Sequence, residues 1–93
     1  MNKFIASRIT EGNRVFPLQI IIDELGVTLI NPSVLSGKEK TVPFSRISSV
    51  NIESPFVGYS TIIIETTGEG KILGHGFTKS EVRQMKELIL AKI

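Results

Sequence analysis

No cysteine occurs among the 93 residues. Disulfides, thiol nucleophiles and cysteine-held zinc are therefore excluded. Histidine is nearly absent too: His75 is the only one, so no second imidazole can join it around a metal. Its position between Gly74 and Gly76 reads as a strand bulge or a close backbone approach rather than a general base. Charge of one sign is scarce. Eleven Lys and Arg against nine Asp and Glu leave a net charge of +2, with acids interleaved among bases. A nucleic-acid interface needs clustered cations on one face, so no nucleic-acid partner is expected. No run approaches the ~18 apolar residues of a membrane span. The opening Met1-Asn2-Lys3-Phe4-Ile5-Ala6-Ser7-Arg8 breaks off before a signal-peptide apolar segment forms. The expectation is a soluble, cytoplasmic protein.

Catalytic signatures are missing as well. Gly68-Glu69-Gly70 and Ser36-Gly37-Lys38 lack the spacing of a phosphate-binding loop and open no helix. Ser48 and Ser49 sit in no Gly-x-Ser-x-Gly elbow. Asp23 and Glu24 fall in a turn, where both are solvated. The chain is expected to be no enzyme and to need no cofactor or metal.

What is present is a β-rich pattern. Apolar residues make up 41% of the chain, with the triplets Ile20-Ile21-Ile22 and Ile62-Ile63-Ile64. β-Branched side chains suit a pleated, packed surface. The length suits a single domain over 1–93, burying roughly 60–65% of the surface its unfolded chain exposes. Strands are predicted over 3–9, 15–22, 27–30, 39–42, 47–53, 59–66 and 71–77, about ten residues apart with turn signals between. Pro17 marks a strand start or a sheet edge. Gly26 is the expected left-handed residue of the turn after Asp23. Pro43 ends one strand, and Phe44-Ser45-Arg46 fits a single helical turn. Phe44, Ile47 and Val50 should point inward.

One helix is predicted, over 79–92. Thr78 is placed to cap the N–H of Glu81, and the Glu81 carboxylate to reach back to Thr78. Phe77 and Val82 sit where a hydrophobic staple needs them. Val82, Met85, Ile89 and Ile93 form one apolar stripe.

Read together, four stretches resemble a bacterial pleckstrin-homology domain. They are Ile20-Ile21-Ile22-Asp23-Glu24-Leu25-Gly26-Val27-Thr28-Leu29-Ile30, Val42-Pro43-Phe44-Ser45-Arg46-Ile47-Ser48-Ser49-Val50, Gly58 with Thr61-Ile62-Ile63-Ile64-Glu65-Thr66, and the Phe77-capped helix. The resemblance implies a mainly β fold: a barrel of seven antiparallel strands in two near-orthogonal sheets, with the C-terminal helix as its plug. It also implies a non-catalytic module that binds protein or self-associates as a homo-oligomer. Lipid-binding members hold phosphates with basic residues on the first strands. Here Arg14, Lys38 and Lys40 oppose Glu11, Glu39 and Glu69, so the basic cluster that such recognition needs is absent.

Apolar loop residues are the sharper candidates. Val34 and Leu35 stand among turn formers and either fold back over an end of the β shell or stand exposed, and Phe56 and Val57 follow Pro55 with Tyr59 nearby. Exposed, they would form a contact for a partner. The edge near Pro17 is a second candidate, through β-augmentation. Peripheral binding to anionic lipid through the Val34-Leu35 loop, with Arg14, Lys38 and Lys40, is the alternative.

Overall fold

The computed structural model describes residues 1–7, 17–31, 38–68 and 70–93. Seven strands and one helix form, in the order β1 (Asn2–Ile5), β2 (Gln19–Ile22), β3 (Gly26–Asn31), β4 (Lys38–Pro43), β5 (Ile47–Glu53), β6 (Ser60–Thr66), β7 (Lys71–Phe77) and α1 (Lys79–Leu90). A 3-10 turn over Phe44–Arg46 joins β4 to β5. All neighbours are antiparallel, in a four-stranded sheet β1-β2-β3-β4 and a three-stranded sheet β5-β6-β7. The fold is therefore mainly β, two sheets and a C-terminal helix. One backbone bond bridges the sheets beyond β1, from the Ser7 N–H to the Gly76 carbonyl at 2.8 Å.

Strand alternation supplies the core. Ile20 and Ile22 of β2, Val27 of β3 and Val42 of β4 face Val50 of β5, Ile62 and Ile64 of β6 and Ile72 of β7. Phe4 of β1 and Ala6 just after it complete it, with Ile47 and half-buried Phe44 from the corner. The helix lays Val82, Met85 and Ile89 onto this layer, all fully buried. Large side chains buried this way each contribute roughly 1.5–3 kcal/mol. The capping box is complete: the Glu81 N–H donates to Thr78 Oγ1 at 3.1 Å, and the Thr78 N–H donates to Glu81 Oε1 at 2.9 Å. No helix among the described residues is long and apolar enough to cross a membrane.

Three expectations are corrected. Gly26 is not left-handed; positive φ among the described glycines belongs to Gly58, Gly68, Gly70 and Gly76. The turn is held instead by Asp23, whose Oδ1 accepts from the N–H groups of Leu25 and Gly26 at 2.9 and 3.2 Å. Glycine is needed at 26 because a Cβ there would lie 2.1 Å from the Val42 carbonyl oxygen on β4. Pro17 stands just before β2, in keeping with a strand start, but marks no sheet edge. It is buried, and the strand it precedes lies between β1 and β3. Ile93 leaves the apolar stripe. The helix ends at Leu90, and Ile93 lies past the turn at 52% exposure.

Of the two readings of the Gly74-His75-Gly76 stretch, the bulge is the one found, and the atoms that crowd Gly74 belong to side chains. Register shifts between Ser60 and Thr61, leaving Gly76 unpaired at φ +108°. Gly74 is where Ile20 of the other sheet packs against β7.

Candidate interaction site

The connection between β5 and β6 is the most exposed apolar feature among the described residues. Pro55 offers no N–H and stops the β5 ladder. Gly58, at φ +108° with open space around its Cβ position, turns the chain back. Between them Phe56 is 99% exposed and Val57 84%. The base of this loop is pinned twice. Ser54 Oγ and buried Ser60 Oγ are hydrogen-bonded at 2.9 Å, and Ser7 Oγ donates to the Tyr59 hydroxyl at 3.1 Å. The apolar pair therefore projects from an anchored loop.

Beside it, antiparallel register lays Glu53, Thr61 and His75 in one row across β5, β6 and β7. All three lie on the sheet face opposite the core, by alternation with Ile52, Ile62 and Gly74. Thr61 Oγ1 and His75 Nδ1 are hydrogen-bonded at 2.8 Å. Glu53 flanks Thr61 on the side away from His75, so it does not orient the imidazole as a relay carboxylate does. The row borders an open groove of about 500 Å³ lined by Glu53, Ser54, Pro55, Tyr59, Thr61 and His75. Among the described residues no Lys or Arg lines it. The serines examined as nucleophiles lie elsewhere, and Ser48 Oγ donates to the Glu65 carbonyl at 3.1 Å.

The structure thus gathers Phe56, Val57 and Tyr59 in one place. Val34, Leu35 and Arg14 lie outside the described residues. Lys38 and Lys40 belong to β4, in the other sheet, where their backbones pair with Asn31 and Leu29. Lys40 is half-buried on the face that also carries Val42. No group of three or more His, Asp or Glu able to hold a metal ion occurs among the described residues.

Sequence reasoning missed the Glu53–Thr61–His75 row. The Thr61–His75 half is one residue off: equal steps outward from the expected 67–70 turn set Thr61 opposite Gly76, whereas Thr66 closes on Gly70 and Thr61 stands opposite His75. The Glu53 half depends on how many residues the 54–59 loop removes from the ladder, which composition does not fix. No protein-family profile, no curated protein and no solved structure matches this chain.

Proposed function

We propose that this protein is a non-catalytic interaction module that binds protein, with a pleckstrin-homology-like barrel as its scaffold. The strand order and the helix laid on the second sheet support that scaffold. The single observation that carries the functional reading is the Phe56-Val57 pair, 99% and 84% exposed on an anchored loop. Contiguous apolar side chains held in water are a mark of contact surfaces. Covering these two stabilises a complex by roughly 1.5–3 kcal/mol each before association costs. A second copy of the chain is one partner this reading admits. Strands β4 and β5 each hydrogen-bond one neighbour only among the described residues, which supports edge pairing as an added contact.

Site-specific photocrosslinking tests the proposal. A benzophenone amino acid replaces Phe56, and the same residue replaces Ser80 on the exposed face of α1 as a control. Irradiation in living cells should give a discrete protein adduct at position 56 and none at position 80. Adducts shared by both positions, none at 56, or lipid adducts alone would refute the protein-binding reading. Light scattering across concentrations then separates self-association from a different partner.

A further inference from the structure

The groove beside the Phe56 loop carries a charge with no ion-pair partner among the described residues. Four of its lining side chains are committed to one another or to their surroundings: Thr61 and His75 to each other, Ser54 to Ser60 and Tyr59 to Ser7. Glu53 is the formally charged acid of the lining, exposed, at the end of β5 and three residues before Phe56. A partner that covers Phe56 and Val57 also covers part of this groove. Covering a carboxylate without a cation or donor opposite it costs free energy, whereas covering apolar surface gains it. The same carboxylate repels phosphates, so an anionic lipid surface or a nucleic acid is disfavoured at this spot.

We infer that the groove and the loop form one binding site for a polypeptide segment carrying a Lys or Arg beside a large apolar residue. The cationic side chain enters the groove toward Glu53, and the apolar residue packs on Phe56 and Val57. Arginine suits the groove better than lysine. Its planar guanidinium meets a carboxylate in a fork and can stack on the Tyr59 or His75 ring. This inference rests on the reading of the Phe56 loop as a protein contact, and it names the partner's chemistry.

Four pools of labelled synthetic octapeptides test it, with fixed Leu-Arg, Leu-Gln, Leu-Glu or Ser-Arg cores and randomised flanks. Binding is read by fluorescence anisotropy and mapped by amide chemical shifts of the isotope-labelled protein. The Leu-Arg pool should bind about fivefold more tightly than the Leu-Gln pool, as for an exposed charge pair. The Leu-Glu pool should bind most weakly. Shifts should concentrate at residues 53–61 and 75. Glu53→Gln should bring the Leu-Arg and Leu-Gln pools within about twofold of each other, while the preference for Leu over Ser survives. Phe56→Ser should erase that second preference. Both residues are exposed, so neither change should move the melting temperature. Equal binding of all pools, an Arg preference untouched by Glu53→Gln, or shifts elsewhere overturn the inference. If position 56 still gives its protein adduct in any of those cases, the broader reading stands and the cationic partner falls. If no adduct forms, both fall.

Discussion

Gly74 offers the most direct test of how the two sheets meet. A Cβ built there would lie 2.7 Å from Ile20 Cδ1, 3.1 Å from Ile62 Cγ2 and 3.1 Å from Phe77 Cε2. Optimal carbon contacts lie at ~3.5–4.0 Å, so all three neighbours must yield in Gly74→Ala. All three are fully buried, and an over-packed core costs about 1–3 kcal/mol. The φ of Gly74 is not positive, so the loss of unfolded-chain entropy returns about 0.4–1 kcal/mol. The net expectation is a loss of about 1–2 kcal/mol, a fall of ~5–15 °C in melting temperature for a domain of this size. Ile20 Cδ1 is the tightest neighbour and the end of a side chain, and Ile20→Val removes it. Alone that change should cost about 0.5–1.5 kcal/mol. Combined with Gly74→Ala, the added methyl occupies part of the vacated space, so the double variant should be more stable than the sum by about 1 kcal/mol. Urea unfolding of the four proteins, followed by far-ultraviolet circular dichroism, measures the cycle. Additivity within ~0.5 kcal/mol would show that Ile20 and Gly74 do not touch. The account of the intersheet contact would then be wrong.

Three further changes probe other parts of the fold. Thr78→Ala removes the oxygen that accepts from the Glu81 N–H; a loss of about 1 kcal/mol is expected in the same urea assay. Gly26→Ala forces a methyl against the Val42 carbonyl, a backbone atom that cannot rotate away. It should cost more than Gly74→Ala, and wild-type stability there would contradict the Gly26–Pro43 register. Ile89→Asp places a carboxylate at a fully buried helix position, and loss of the cooperative transition is expected because no buried cation stands among the described residues to pair it.

Local chemistry made much of the fold legible. Thr78 and Glu81 declare the helix start within four residues, and Pro43 and the Phe44–Arg46 turn declare the corner. Errors arose where a residue's reason lay across the sheet. Gly26 looked like a turn residue because Asp23 precedes it, yet its constraint is a carbonyl on β4, some sixteen positions away in sequence. Pro17 is open to two readings because proline is rare inside sheets, a strand start or an edge, and the first holds: it stands just before the first paired residue of β2, Gln19. Ile93 fits the helical period and fails only because the helix stops at Leu90, with no glycine or proline to announce it. The exposed apolar loop was legible, since Pro55 and Gly58 bracket two apolar residues. The polar row beside it was not, since it requires the register of three strands at once.

The four phenylalanines described sharpen the functional argument. Phe4 and Phe77 are buried and Phe44 is half-buried, whereas Phe56 stands in water. The loop holding it is anchored rather than loose: Ser54 meets Ser60, Tyr59 meets Ser7, and Gly58 takes a backbone angle that other residues avoid. Ordering a free side chain on binding costs about 0.5–1.5 kcal/mol, and a loop already held at its base avoids part of the further cost of ordering backbone. An exposed aromatic on a slack loop would spend much of its burial energy on becoming ordered. Here the fold has met that cost in advance, through contacts with β6 and with the segment after β1. Those contacts serve the position of Phe56 more than the core, which Phe56 does not touch. A loop built in this way is physically suited to recognition.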